Sequence, residues 1–334
     1  MIQKFHRELN PAGDMMSVKT IKMEPLRNHL KYVLYSGFVK NKQRPLSTLI
    51  IAYPERGKST EASRFMAIGA TEVQDLSSHG ILNELANMTQ NERRIFHHII
   101  VPDLEKLASR SKRLKEELLS TIRILTEEGF GQSWVKYQRF KFEEKVVIGF
   151  LLCTTPEDLG DRRSAFRSYS FLSRFLPFTY DYSKMLKLDI LKYVENEDRL
   201  VKTRVEFKRE EPAEVRCPDR IKMRLDPYVN IIATEVDKFS TKSSIPALRE
   251  KDRKFGVRFK ENLTTYLKAI ALYDGYTMVR EKHFERFEDL FPFMNFQFNN
   301  IDEAEMLRRV ITTRLELKRG SNSVRVSSPF RRRD

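Results

Sequence analysis

Cysteine is nearly absent: Cys153 and Cys217 are the two that the 334-residue chain holds. One potential pair is no disulfide framework, and two thiols by themselves make no metal site, so both read as reduced, structural thiols. Long hydrophobic runs are missing as well. No apolar stretch approaches the roughly 20 residues that a membrane helix needs, and the N-terminal MIQKFHRELNPAGDMMS lacks the apolar centre of a secretion signal. The expectation is a soluble, cytoplasmic protein with no membrane partner. No internal repeat is visible, and no spacing of Ser, His and Asp supports a nucleophilic triad. Neither a zinc-finger spacing nor an OB-fold-like pattern occurs. His97 and His98 are adjacent on an expected strand, which would send their side chains to opposite faces and prevent them from sharing a metal.

What is present in excess is positive charge. The formal net charge is +15, with 61 Lys and Arg against 46 Asp and Glu. A surplus of this size suits a polyanionic partner, since each cation placed on a phosphate releases a counterion. The alternative is that the charges only solvate helical faces. The length suffices for one large or two medium domains with a substantial core.

Along the chain, residues 1–24 read as a polar arm. PLRNHLKYVLYSGFV reads as a helix, and STLIIAY as a short buried strand. A helix follows at STEASRFMAIGA, with Ala62, Phe65 and Met66 at helical spacing. Further apolar runs end at Val101, in KVVIGFLLCTT and near Phe178, with the amphipathic SKRLKEELLSTIRILTEEGF between the first two. Strands alternating with helices predict an α/β fold whose parallel sheet is covered on both faces. The expected units are a core over 25–190, a linker over 191–220, a small all-helical domain over 221–300, a C-terminal helix over 301–319 and a basic tail over 320–334. The Phe-rich FEDLFPFMNFQF reads as core of the helical unit rather than a binding cage.

The most informative stretch lies between the first strand and its helix. It runs Ala52, Tyr53, Pro54, Glu55, Arg56, Gly57, Lys58, Ser59, Thr60, a small residue and four spacers before Gly-Lys-Ser, lacking only an opening glycine. Strand, loop and helix in this order form the context of a phosphate-binding loop. Lys58 would neutralise phosphates, Ser59 would ligate magnesium, and the start of the helix would add its positive end. Glu55 and Arg56 restrict the backbone, and Glu55 must face away from the phosphates. Downstream, IIVPD ends an apolar strand in Asp103, a carboxylate able to hold magnesium through water or simply to cap the strand. Glu105, two positions on, is a candidate activator of the attacking water or a solvated helical residue. Thr154 ends the strand VVIGFLLCT, where a hydroxyl could touch a γ-phosphate, and Arg174 in YSFLSRFLPF precedes the next strand.

Taken in order over roughly residues 25–300, these elements resemble the AAA+ ATPases: Walker A at Ala52 to Ser59, Walker B at Ile99 to Asp103, sensor 1 at Thr154 and an arginine finger at Arg174. The resemblance implies a P-loop NTPase core with a helical lid, ATP and Mg2+ as cofactors, hydrolysis of ATP, and a ring-like or helical homo-oligomer in which Arg174 reaches the neighbour's nucleotide. EEGFGQSWVKYQRFKFEEKVVIGFLLCTT suggests a β-hairpin inserted before the sensor strand, similar to the pre-sensor-1 group of minichromosome-maintenance, RuvB-type and MoxR-like proteins. Arg258 falls where sensor 2 is expected, or is an ordinary surface arginine.

On that hairpin, Trp134, Lys136, Tyr137, Arg139 and Lys141 combine aromatic faces with charge, the mixture that grips a nucleic-acid strand; the other possibility is that half of them pack the hairpin. The leading expectation is an ATP-driven motor or loader acting on nucleic acid, with DNA as partner. The alternatives are a MoxR-like remodeller with a protein partner and a slow ATP-gated assembly switch.

Overall fold

The computed structural model describes residues 23–42, 44–65, 69–104, 111–135, 138–159, 165–194, 211–240, 256–303, 306–307, 309–310 and 313. Five short parallel strands form the central sheet: β1 (Ser47–Ile51), β2 (Ala70–Glu72), β3 (His98–Val101), β6 (Gly149–Thr154) and β7 (Phe175–Thr179). Every residue of β1, β3, β6 and β7 is buried, as continuous apolar runs require when helices cover both faces. Their order is β2-β3-β6-β1-β7. β1 pairs with β6 on one side, Ile51 opposite Thr154, and with β7 on the other, Ile51 opposite Thr179. The direction of strand addition therefore reverses at β1, and crevices at the carboxyl ends of strands beside such a reversal are where open α/β sheets take ligands.

The expected hairpin is present. β4 (Phe130–Val135) and β5 (Gln138–Val146) pair antiparallel as a separate two-stranded sheet. Phe130, Phe140 and Phe142 are buried, and Phe140 meets His79 of helix α3 (Ser78–Asn87) edge-on at 5.7 Å. Alternate residues Arg139 and Lys141 are exposed, the period-2 division of a half-buried strand. The edge strand β2, α3 and α4 (Gln90–Ile95) are elements that the sequence reading did not contain; a reciprocal Thr89–Glu92 capping box starts α4.

The C-terminal region is helical, with helices Asp219–Arg224, Asp226–Phe239, Val257–Tyr273 and Glu281–Leu290. It shares one hydrophobic core with the sheet. Helix α1 (Glu24–Tyr35) joins the two. His29 stacks on Phe178 of β7 at 4.5 Å, and its Nδ1 lies 3.0 Å from the Tyr266 hydroxyl. Phe287, Phe291 and Phe293 are buried, and Phe296 and Phe298 pack against the core while partly exposed, so the Phe-rich stretch is core. Residues 211–217, inside the expected linker, are packed: Asn41 exchanges two 3.1 Å hydrogen bonds with the backbone of Val215, which is fully buried. Among the described residues no helix is long and apolar enough to cross a membrane.

His97 and His98 correct an expectation. β3 begins at His98, so strand alternation does not govern the pair, and the two Nδ1 atoms meet at 2.5 Å. Gly37 and Gly149 make room, because a Cβ on either would lie within 2.6 Å of a histidine ring. Among the described residues no cluster of three or more metal-ligating side chains forms.

Candidate functional site

The carboxyl edge of the sheet gathers the loop after β1, Asp103 after β3, Thr154 at the end of β6 and Tyr180 after β7, because all four strands run parallel in the registers above. Ala52 is buried, and its N–H donates to Thr154 O at 3.3 Å. Tyr53, Pro54, Glu55 and Thr60 are exposed. Gly57 adopts φ 73, a left-handed conformation that other residues enter at a cost, and Glu55 before it adopts φ 62. Helix α2 (Lys58–Ser63) starts at once. The Lys58, Ser59 and Thr60 amides have no intrahelical acceptor by position, while Glu61 N–H donates to Gly57 O at 2.9 Å.

The two halves of the site meet directly. Ser59 Oγ donates to Pro102 O at 2.6 Å, which brings the loop hydroxyl to the residue before Asp103. Leu104 N–H donates to Cys153 O at 2.9 Å and ties the Asp103 turn to β6. Cys153 is fully buried between them: burial pushes its thiol up to about 12, Lys58 opposes the shift, and Asp103 and Glu72 add to it. One thiol thus feels Lys58 and Asp103 together. Among the described residues no carboxylate lies within 4.0 Å of Lys58 Nζ.

Behind the loop, Glu61 is wholly buried. It accepts from Arg27 Nη2 at 3.3 Å and from Arg64 Nη1 at 2.9 Å. Thr154 is buried, and its hydroxyl is directed to Asp158 Oδ2 at 3.2 Å, which also accepts from the Thr155 N–H and hydroxyl at 3.0 and 2.7 Å. Asp158 was not singled out in the sequence, although Thr-Pro-Glu-Asp has the spacing of a side-chain cap. On the other flank, Arg56 Nε donates to Asp181 Oδ1 at 2.7 Å, and Arg56 O accepts from the hydroxyls of Tyr180 at 2.8 Å and Tyr182 at 2.6 Å. Burial would raise the Asp181 carboxyl, but hydrogen bonds from Arg56, Lys187 and the Tyr182 N–H outweigh it and hold the group below its ordinary value.

Arg174 and Arg258 stand elsewhere. Arg174 precedes β7, whose first residue pairs with Ser47 at the start of β1, so it lies at the amino edge of the sheet, about 13 Å of strand from the loop edge. There Arg174 Nη2 pairs with Glu127 at 2.5 Å and Nη1 donates to Ser170 O. Arg258 also pairs with Glu127 and donates to Ser173 Oγ at 3.1 Å. Arg44, just ahead of β1, completes the cluster at 3.6 Å from Glu127. Arg258, for which the sequence leaves a sensor-2 role or an ordinary surface position open, is thus held by its carboxylate partner at the edge opposite the loop. Burial lowers the pKa of Arg174 and Glu127 opposes the shift.

Glu105, Lys136 and Tyr137 lie outside the described residues, and Trp134 is described only in its strand backbone. Arg139 donates to Gln132 Oε1 at 3.3 Å.

No protein-family model matches the chain, and no curated protein matches it. Among solved structures, a protein of Cytophaga hutchinsonii described as a candidate ATPase shares 14% identity over 89% of this chain and 89% of its own, at a TM-score of 0.44. The strand order and registers themselves define the fold as α/β, a parallel five-stranded sheet flanked by helices and followed by a helical C-terminal region.

Proposed function

We propose that the chain is an AAA+-like ATPase that binds ATP with Mg2+ at the loop Ala52–Thr60 and hydrolyses it as an oligomer acting on nucleic acid. The observation that carries the reading is the 2.6 Å contact of Ser59 Oγ with Pro102 O, which joins the loop to the Asp103 strand end. A hydroxyl and a carboxylate are hard oxygen donors suited to Mg2+, which takes one or two protein groups and fills its shell with water and phosphate oxygens. When bound there, Mg2+ supplies charge neutralisation on the phosphate oxygens.

The protein's own part is positioning. Lys58 supplies a cation at the start of α2, and Ser59 and Asp103 are the residues that would hold the metal. Thr154, with Asp158 fixing its hydroxyl, places a polar group at the end of the strand between them. Glu105 is the proposed activator of water, and Arg174 the group offered to a neighbouring subunit. The exposed Arg139 and Lys141 on β5, together with the net charge of +15, support a nucleic-acid backbone as the partner. A second reading, a slow ATP-gated assembly switch, draws on the pairing of Arg174 with Glu127 within its own chain.

Lys58→Ala is expected to abolish tight ATP binding in isothermal titration; unchanged affinity would remove the loop from the site. Asp103→Asn should keep much of the binding and lose Mg2+-dependent turnover, and full activity would place the metal elsewhere. Turnover stimulated by single-stranded or duplex DNA and fading with added salt supports the nucleic-acid role. Negligible turnover with nucleotide-dependent assembly supports the switch.

A further inference from the structure

A glycine-rich phosphate loop can turn its amides inward because its backbone is free to do so. Here Pro54, Glu55 and Arg56 precede Gly57, and Glu55 is itself in the left-handed region at φ 62. The constraint that such a loop needs is supplied from outside it. Tyr180 and Tyr182 follow β7 two positions apart, and their hydroxyls converge on a single acceptor, Arg56 O, at 2.8 and 2.6 Å. A carbonyl oxygen has two lone pairs, so the pair saturates it.

We infer that Tyr180 and Tyr182 are positioning residues for phosphate binding: by holding the Arg56 carbonyl on the β7 side, they turn the Gly57 N–H toward the nucleotide phosphates. The inference rests on the reading of this loop as the nucleotide site. The Arg56–Gly57 peptide is planar and trans, so its C=O and N–H point in opposite directions. β7 flanks β1 on one side, while β6 and β3, which lead to Thr154 and Asp103, lie on the other. Drawing the carbonyl toward β7 therefore sends the N–H toward the flank where Ser59 meets Pro102.

The anchor is itself well held. Tyr180 is fully buried and Tyr182 is 5% exposed. Burial raises both phenols above their ordinary pKa, so they remain O–H donors at working pH. Between them, Asp181 binds the Arg56 side chain and Lys187. Its backbone is bonded to Asn299 O and to the Ile301 N–H, at 3.1 and 2.9 Å. Gly57 fits against this anchor: a Cβ there would sit 3.4 Å from Tyr182 Oη.

The test titrates Mg-ATP into the full-length wild-type protein and into Tyr180→Phe, Tyr182→Phe and the double variant, each of which loses only hydroxyl groups. Tyr266→Phe, which removes a buried hydroxyl bonded to His29 and not to the loop, is the control. Each single variant should bind ATP about three- to tenfold more weakly and the double variant at least about tenfold more weakly, as expected for one and two lost hydrogen bonds. Tyr266→Phe should lose comparable thermal stability and keep its affinity within about twofold, a change smaller than one hydrogen bond. A double variant that binds like the wild type overturns the inference and leaves the nucleotide reading intact. Equal weakening in Tyr266→Phe overturns it too, since the effect would then be general destabilisation. A wild-type protein that does not bind ATP overturns both.

Discussion

Glu61 is a buried carboxylate paired with two arginines, Arg27 and Arg64. Removing one partner of a buried ion pair leaves the other charges uncompensated, typically at about 3–5 kcal/mol. Arg27 and Arg64 keep 17% and 9% of their side-chain exposure, so Glu61→Ala should fall at the lower end, about 3 kcal/mol. Urea unfolding checks it; a loss below about 1 kcal/mol, the value of an exposed pair, would mean that water reaches the arginines freely. His29 and His98 give a pH dependence. Both are completely buried, and burial lowers their pKa values to about 3 from the ordinary value near 6.5. Between about pH 3 and 6.5 the unfolded chain binds protons that the folded chain refuses, so stability falls as pH falls through that window. Each histidine should contribute about 1 kcal/mol per pH unit below 6.5. Melting at pH 7.5 and 5.5 should show a drop in the wild type that shrinks in His29→Gln; an equal drop in both would assign the loss to other groups.

At the scale of elements, the hairpin is the part whose proposed role separates most cleanly from its folding. Phe140 and Phe142 bind it to the body of the protein, while Arg139 and Lys141 on the same strand face solvent. Reversing both charges, Arg139→Glu with Lys141→Glu, should leave the melting temperature within about 3 °C, since exposed substitutions usually cost under about 0.5 kcal/mol. DNA affinity should fall by about tenfold or more at low salt, and the salt slope should become shallower by about two counterions. Unchanged DNA binding would move the nucleic-acid surface off the hairpin.

At the scale of the whole molecule, the finger role proposed for Arg174 would link chemistry to assembly. Its side chain is 10% exposed and paired with Glu127, so reaching a neighbour's nucleotide requires that this pair open. Arginine fingers are worth about 10³–10⁵ in rate. Arg174→Ala should keep nucleotide binding by the isolated subunit and suppress hydrolysis by the assembly. Mixing it with Lys58→Ala subunits should restore some activity, because some interfaces then combine an intact loop with an intact arginine. Hydrolysis strictly proportional to concentration down to the monomer, or no recovery while subunits demonstrably exchange, would leave Arg174 with only its structural pairing.

Much of this architecture is legible in the sequence, because strand, loop and hairpin signals are local. The apolar runs of β1, β3, β6 and β7 are uninterrupted where a doubly covered sheet needs them, and alternation marks β5. Gly57-Lys58-Ser59 between a strand and a helix names its own neighbourhood. What only the tertiary structure decided is which distant side chains meet. The sequence offers Arg174 and Arg258 as separate candidates, yet both are drawn to Glu127 because the starts of β1 and β7 lie side by side. Tyr180 and Tyr182 look like ordinary aromatic residues until the order β6-β1-β7 sets them beside Arg56 O. His97 and His98 meet because β3 begins one residue later than periodicity suggests. Side-chain period is a property of a few consecutive residues, whereas these contacts depend on strand order and register, which are settled only when the whole sheet is packed.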